Sequence, residues 1–342
     1  MTDGLSYRDA GVDLDAAERT KDRLKALVAS TRDRFTLSEL GAFGGLYRVP
    51  DGVSEPVLVS SADGVGTKLK IAFQAGRHDT VGQCLVNHCV NDILVQGARP
   101  LFFLDYLATG EMDETVVHDV VQGVAVACKE NSCALLGGET AQMPDFYAAD
   151  EYDLAGFIVG IVAQDRILDG SGIREGDVLV GLDSTGLHTN GYTLARRIVF
   201  DVMGLGVDDE LPGTGHSVAD ELLAVHRSYL KLLTPLLHVG IVRGLAHITG
   251  GGIPGNLPRV LPEGLGASVS RDAWEVPAVF RTMQEAGKVA RDEMDRVFNM
   301  GIGMVVVTRP DDAEAVVQAA ASSGMGARRI GSIVSGSGVR YP

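Results

Sequence analysis

The chain has 342 residues, 45% of them hydrophobic and 22% charged, which excludes a disordered polypeptide and provides enough apolar residues for two cores of ordinary size. Its formal net charge of −15 argues against nucleic acid and anionic membrane surfaces as partners. An anionic ligand therefore needs backbone N–H groups, local cations or a metal ion at its site.

The first half of the chain alternates predicted helices and strands. Apolar residues at helical spacing, short apolar runs and the turn residues between them predict a helix over 15–31, a strand over 57–60, a helix over about 80–97 with Asp79 as its N-cap, a strand over 100–110, a helix over 113–130, a strand over 133–141 that runs into a Gly-Gly-Glu turn, and a strand over 152–163.

A turn-rich stretch over 164–176 marks the boundary between two predicted domains, 1–168 and 169–342. We therefore expect an α/β or α+β architecture of two layered domains. The patterns of the second half predict a strand over 178–184, a helix over 191–203, a long helix near 217–239, a strand over 246–249, a short helix after 250–255, a strand over 266–270, helices over 277–298, a strand over 303–310, a helix over 311–322 and a strand over 328–334.

The stretch D-G-V-G-T-K at 63–68 follows the first predicted strand and suggests a phosphate-binding loop, although its order is not that of a P-loop. Gly64 and Gly66 allow successive N–H groups to converge on an anion, while Thr67 offers a hydroxyl and Lys68 a cation. Asp63 would repel a phosphate unless a divalent cation lay between them, and it therefore implies Mg²⁺. The alternative is a simple turn with a capping aspartate.

Two further carboxylates are candidates for the same ion. Asn91 and Asp92 lie in an apolar part of a predicted helix, where polar side chains need a partner. Glu139 follows two glycines, so carboxylates from three elements are available, as Mg²⁺ sites require. His88 lies four residues before Asp92 and on the same helix face, which permits a metal pair, but we interpret it as a structural histidine.

Two loops of the second half combine an imidazole with a predicted helix N-terminus. The first carries His188, Thr189 and Asn190, and the second carries His247 and the three consecutive glycines Gly250–Gly252. Three successive glycines are entropically costly, which favours close approach of a ligand over a plain connecting loop.

The cysteines Cys84, Cys89, Cys128 and Cys133 match no zinc-site spacing, and we expect buried, reduced thiols. No apolar run reaches the roughly 20 residues of a membrane span, and the polar first residues do not resemble a secretory signal. We therefore expect a cytoplasmic protein.

Taken in order, several motifs resemble those of the aminoimidazole ribonucleotide synthetase family, also called phosphoribosylformylglycinamidine cyclo-ligases. The resemblance extends from about Ser6 to Ile333. It is carried by YRDAGVD, DGVGTK, CVNDILVQGA, FFLDYLATG, GGETAQMP, GLHTNGY, HITGGGIPGNLPRVLP and FNMGIGM.

The resemblance implies a two-domain subunit whose N-terminal sheet pairs with that of a second copy into a barrel, which makes a homodimer. It implies ATP-dependent ring closure of formylglycinamidine ribonucleotide, with Mg²⁺. In this reaction the formyl oxygen attacks the γ-phosphate, and a substrate nitrogen then closes the five-membered ring and expels phosphate. Neither nucleic acid nor a membrane is expected as a partner.

The resemblance also implies roles for individual residues. Mg²⁺ is expected on Asp63, Asp92 and Glu139. Nucleotide binding is expected at Lys25, Asp63, Gly64, Gly66, Thr67, Lys68, Asn91 and Gly138. Catalytic roles on the substrate side are expected for His188, Asn190 and His247, and binding of the substrate phosphate for Gly250, Gly251 and Gly252. Without the resemblance, Lys25 would be interpreted as a surface lysine of a helix.

Relatives that share the fold are the main alternatives. Selenophosphate synthetase needs a reactive cysteine or selenocysteine near its N-terminus, whereas the first cysteine here is Cys84. The hydrogenase-maturation relative ends in a cysteine, and this chain ends in VRYP. Thiamine-monophosphate kinase should lack the HITGGGIPGN motif. A non-catalytic nucleotide-binding regulator would be favoured by loss of a carboxylate, and none of the three is missing.

Overall fold

The computed structural model describes residue 11, residues 14–41 and residues 43–342. The first ten residues and most of the motif at 7–13 lie outside the described residues. Within the described part of the chain, no helix is long and apolar enough to cross a bilayer. All four cysteines are free and buried, as predicted.

The N-terminal half forms a four-stranded sheet with helices on one face. Its elements are α1 (Leu14–Ala29), β1 (Pro56–Gly64), α2 (Leu69–Ala75), α3 (Asp79–Leu94), β2 (Arg99–Thr109), α4 (Glu114–Glu130), β3 (Ala134–Gln142) and β4 (Tyr152–Ala163). The strand order is β1-β4-β2-β3, with β4 antiparallel to both of its neighbours and β2 parallel to β3. Helix α3 lies across β1, β2 and β4, and α4 lies beside it against β3.

The sequence predicts this half well apart from local details. Asp79 is the first residue of α3 and not its N-cap, which is His78. Asp113 does cap α4, because its side chain accepts hydrogen bonds from the N–H groups of Thr115 and Val116. The predicted Gly-Gly-Glu turn is wrong, since parallel pairing with β2 carries β3 straight through the glycines to Gln142.

The C-terminal half forms a six-stranded sheet of order β10-β7-β9-β5-β8-β6. Residues 164–177 connect the two sheets, and we retain the proposed division into 1–168 and 169–342. The elements are β5 (Val178–Asp183), α5 (Tyr192–Arg196), which continues as a π-helical turn (Arg197–Val202), α6 (Val218–Leu222), α7 (Leu230–His238), β6 (Val242–His247), α8 (Gly252–Asn256), β7 (Leu265–Val269), α9 (Ala278–Gly287), α10 (Arg291–Val297), β8 (Ile302–Thr308), α11 (Ala313–Ser322), β9 (Ala327–Ser335) and β10 (Val339–Arg340).

The prediction of one long helix over 217–239 is wrong, because residues 223–229 form an irregular segment between α6 and α7. We call residues 223–229 the docking segment, since α3 of the other half holds its backbone. Asn87 donates to the carbonyl oxygen of His226 at 2.8 Å, and Asn91 donates to that of Arg227 at 2.8 Å. The Asn91 side-chain oxygen also accepts from the N–H of Tyr229 at 3.0 Å. These bonds use backbone groups that a continuous helix would need for itself.

Candidate functional site

Two aspartate–histidine pairs lie where the halves of the chain meet. His88 Nε2 on α3 donates to Asp63 Oδ2 at the end of β1 at 2.9 Å. His247 Nδ1 at the end of β6 donates to Asp92 Oδ1 on α3 at 2.8 Å, and Ser61 donates to the other Asp92 oxygen at 3.0 Å. The carboxylate of Asp92 in the N-terminal half is therefore in direct contact with the imidazole of His247 in the C-terminal half.

Behind the aspartates lie four buried histidines, His88, His188, His226 and His247, which we call the histidine cluster. Thr189 Oγ1 is 2.5 Å from His88 Nδ1 and 3.4 Å from His226 Nδ1. His226 Nε2 is 3.0 Å from His247 Nε2. The rings of His188 and His226 stack with centroids 3.9 Å apart. The cluster thus connects the two aspartate–histidine pairs through side chains alone.

The surroundings fix the charge states of these groups. Burial lowers the pKa of His188 and His226 well below their ordinary range, so both are neutral at pH 7. Burial also lowers the pKa of His247, although the hydrogen bond to Asp92 partly opposes it. For Asp92, burial acts to raise the pKa, but the contacts with His247, His88 and Ser61 outweigh it, so that the pKa is lowered. At Asp63 burial also acts to raise the pKa, but the contact with His88 outweighs it, so that the pKa is lowered.

The loop after β1 is divided between an exposed part and a buried part. Asp63, Gly66 and Thr67 are exposed, and the Gly64 N–H donates to Asp63 Oδ1 at 2.7 Å. Lys68 is completely buried, and its ammonium donates to the carbonyl oxygens of His188 at 2.9 Å and Ala224 at 2.7 Å. The expectation that Lys68 binds a nucleotide phosphate is therefore not supported, because its charge joins the two halves instead.

Asn91 also has a different place from the one expected. It is completely buried, and both polar atoms of its amide are bonded to the docking segment. Asn91 is thus a connecting residue and does not face a nucleotide. Lys25 is exposed on α1 and pairs with Asp22 of the same helix at 2.7 Å, so the structure does not bring its ammonium to the histidine cluster.

Glu139 does not join Asp63 and Asp92. In the sheet, Asp63 pairs with Gly156, Gly156 with Asp105, and Asp105 with Gly138, so these residues share one face. Side chains alternate along a strand, which places the exposed Glu139 on the opposite face. Gly138 leaves room for a neighbour, since a Cβ atom there would clash with the Asp105 carboxylate. Only two of the three predicted carboxylates therefore converge.

The two C-terminal loops do converge, and they present unpaired polar atoms. His188 Nδ1 and Asn190 Oδ1 are buried without a hydrogen-bond partner among the described residues. A Cβ atom at Gly250 would lie 3.4 Å from Asn190 Nδ2, so the loops touch. Gly251 has φ +99° and, like Gly250, donates its N–H to no residue in the described part of the chain. The expectation for Gly252 is not supported, because its N–H donates to the carbonyl oxygen of Thr249 at 3.0 Å. Unpaired groups of this kind indicate a ligand-binding surface.

Sequence reasoning missed two residues at the centre of the site. The sequence analysis treats His88 as structural, yet it contacts Asp63 directly, and its spacing from Asp92 is the signal that points to it. No local sequence pattern points to His226, because it is an isolated histidine in a segment whose conformation depends on contacts with α3.

Family models match both halves of the chain. Residues 45–162 match the N-terminal domain and residues 174–341 the C-terminal domain of AIR synthase related proteins. The fold and the site thus define a two-domain protein of the AIR synthase class. The chain is 52% identical over 314 residues to the phosphoribosylformylglycinamidine cyclo-ligase of Citrifermentans bemidjiense, which covers 92% of this chain and 90% of the relative. It belongs to the phosphoribosylformylglycinamidine cyclo-ligase family, as its motifs predicted.

Solved structures show the same fold at low sequence identity. Thiamine-monophosphate kinase from Stenotrophomonas maltophilia K279a matches with a TM-score of 0.71 at 19% identity, covering 93% of this chain and 95% of that chain. The hydrogenase maturation protein HypE in complex with ATP matches with a TM-score of 0.66 at 21% identity, covering 92% of this chain and 86% of that chain. Thiamine-monophosphate kinase and the hydrogenase maturation protein, two of the alternatives weighed from the sequence, thus share this fold.

Asp105 lies in the row of paired residues Asp63, Gly156, Asp105 and Gly138 across the N-terminal sheet, and its burial leads to a testable prediction. Burial raises its pKa to about 7, whereas the unfolded chain should titrate near 3.9. Between these values the native state holds a proton that the unfolded state has lost, so stability falls as pH rises from about 4 to 7. Asp105→Asn removes this dependence. We expect urea unfolding to show the variant gaining up to about 4 kcal/mol relative to wild type across this window.

The exposed Asp153→Asn on β4 is the control, and its unfolding free energy should stay parallel to that of wild type. An Asp105→Asn curve that also stayed parallel would show that Asp105 is ionised in the native state.

Proposed function

We propose that the chain catalyses ATP-dependent closure of formylglycinamidine ribonucleotide to 5-aminoimidazole ribonucleotide in purine biosynthesis, releasing ADP and phosphate. The observation that carries this proposal is the 2.8 Å contact between Asp92 and His247. It brings the carboxylates suited to a metal–nucleotide complex next to loops with unpaired polar groups. The family to which the chain belongs supports this reaction.

The chemistry requires positioning and charge neutralisation more than reactive side chains. The formyl oxygen attacks the γ-phosphorus of ATP and ADP leaves, which gives a phosphorylated imidate. A substrate nitrogen then attacks the activated carbon, the C–O bond breaks and phosphate departs with the former formyl oxygen. Two polyanions must therefore be held together by a protein with a net charge of −15.

The residues present fit a divalent cation that accompanies ATP. Asp63 and Asp92 both have lowered pKa values and are therefore ionised at neutral pH. Their side chains are 44% and 25% exposed, so phosphates can reach the same ion. Mg²⁺ held there would offset the negative charge of the ATP phosphates. Glu139 remains outside this set.

The substrate belongs on the opposite side of the contact. Gly250 and Gly251 offer two unpaired N–H groups to the ribonucleotide phosphate. Asn190 and His188 offer unpaired polar atoms beside them, suited to hydrogen-bonding the amidine and formyl groups. His247 is bonded to Asp92, which fixes its ring at the contact between the two halves. In this proposal the N-terminal half binds the nucleotide and the C-terminal loops bind the substrate.

Asp92→Asn tests this assignment, because it keeps the shape of the side chain and removes one charge from the metal-binding pair. We expect turnover with Mg²⁺ and ATP to fall by roughly 10²-fold or more, since metal binding supplies several kcal/mol of transition-state stabilisation. Phosphate release should be measured with and without formylglycinamidine ribonucleotide, because a cyclo-ligase turns over ATP only when that substrate is present.

The exposed Asp201→Asn carries the same charge change away from the site and should retain activity. Full turnover by a folded Asp92→Asn enzyme would remove Asp92 from the reaction.

We also propose a homodimer built through the N-terminal sheet. One face of the sheet is covered by α3, and the other carries exposed apolar residues, including Leu58 at 59% and Phe157 at 47% of full exposure. They lie on the adjacent strands β1 and β4. Pairing this face with the sheet of a second copy would remove it from water and supports the barrel expected from the sequence.

Phe157→Lys should convert the dimer to a monomer of 36.1 kDa, because a lysine at the centre of an apolar interface loses most of its hydration. Light scattering at micromolar concentration measures this mass. Val239→Lys places the same charge on an exposed apolar residue of the other half and should leave the dimer intact. A wild-type chain that is monomeric would contradict the proposal.

A further inference from the structure

Asn256, the last residue of α8, places its buried side chain against the turn formed by residues 249–252. Its Nδ2 donates to the carbonyl oxygens of Gly252 at 2.8 Å and Gly250 at 3.2 Å, and it lies 3.4 Å from that of Thr249. Its Oδ1 accepts from Thr249 Oγ1 at 3.2 Å. One side-chain amide thus contacts three of the four carbonyl groups of the turn.

The surroundings of the Asn256 side chain require an amide. Its nitrogen faces three carbonyl oxygens, which are acceptors, and its oxygen faces the hydroxyl of Thr249, which is a donor. An aspartate of the same size carries acceptors alone and would turn an oxygen toward the three carbonyl groups. The turn therefore specifies both the orientation and the chemistry of this side chain.

The contacts of Asn256 also determine where two backbone N–H groups point. The peptide bonds of the turn are trans, and in a trans peptide the C=O and N–H groups point in opposite directions. The carbonyl of Thr249 shares a peptide plane with the N–H of Gly250, and the carbonyl of Gly250 shares one with the N–H of Gly251. Because both carbonyls face Asn256, both N–H groups face away from it, and they donate to no residue in the described part of the chain.

Other contacts hold the end of the turn. The Gly252 N–H donates to the carbonyl oxygen of Thr249 at 3.0 Å. A Cβ atom at Gly252 would lie 1.9 Å from the Asp295 carbonyl oxygen, so the turn packs directly on α10. Three consecutive glycines have many accessible backbone conformations unless such contacts restrict them. The Asn256 amide therefore selects one conformation of the turn before a ligand arrives.

We infer that Asn256 is a positioning residue for the substrate phosphate, because it directs the N–H groups of Gly250 and Gly251 toward the ligand before binding. The inference rests on the proposed binding of the ribonucleotide phosphate at these two glycines. Asn256 lies on the carbonyl side of the turn, so it acts through the backbone and does not touch the phosphate. Donors that are already oriented bind an anion more tightly, because the binding step then carries no ordering cost.

Steady-state kinetics of the full chain tests the inference. Asn256→Asp removes the donor, and we expect the KM for formylglycinamidine ribonucleotide to rise at least tenfold. Asn256→Ser adds no charge and leaves room for a water molecule that can pair the carbonyl groups, and it should raise the same KM at least fivefold. In both variants the KM for ATP and the kcat at saturating substrate should change less than threefold, because only substrate binding is weakened. Gln318→Glu makes the same amide-to-carboxylate change at an exposed position of α11 and should alter none of these constants.

A rise of less than fivefold in Asn256→Ser would overturn the inference, since a large rise in Asn256→Asp alone would be the effect of charge repulsion. A lower kcat with an unchanged KM would also overturn it, because a purely structural role has that result. Calorimetric titration of the same proteins with ribose 5-phosphate separates this inference from the proposed function. Weaker binding of ribose 5-phosphate by both variants of a chain that does not close the ring would contradict only the function. Ring closure with an unchanged substrate KM in both variants would contradict only the role of Asn256.

Discussion

The contact between α3 and the docking segment determines how the rest of the molecule is arranged. Asn87 and Asn91 hold backbone groups of residues 226, 227 and 229, and the buried ammonium of Lys68 holds the carbonyl of Ala224. A buried polar group that loses its partner costs about 1–3 kcal/mol, and more when it is charged. The two halves therefore have one strongly favoured orientation, in which His247 meets Asp92.

This constraint explains which parts of the fold were predictable. The sequence predicts β8 from its unbroken apolar run and α4 from apolar residues at helical spacing, because both signals lie within the element itself. The break between α6 and α7 is imposed by Asn87 and Asn91, more than 130 residues away, and has no local signal. The continuation of β3 through two glycines depends likewise on pairing with β2.

Prediction of the site from the sequence is limited in the same way. The motifs predict Asp63, Asp92, His188, Asn190, His247 and Gly250, and the structure brings these residues together around one junction. Lys68 and Asn91 belong to the same motifs but face inward, because a motif does not specify which of its polar residues connects the halves. His226 enters the site only through the docking segment, so its place depends on the tertiary structure.

The docked orientation of the halves creates the candidate site, and Asn91→Leu disturbs that orientation at its main contact. The substitution leaves the Arg227 carbonyl and the Tyr229 N–H without partners. We expect the unfolding free energy in urea to fall by about 2–4 kcal/mol. Ring closure should fall at least tenfold at temperatures where the variant stays folded, while Gln96→Leu on the exposed end of the same region changes neither. A folded Asn91→Leu enzyme with wild-type turnover would show that the site does not depend on the docked orientation of the halves.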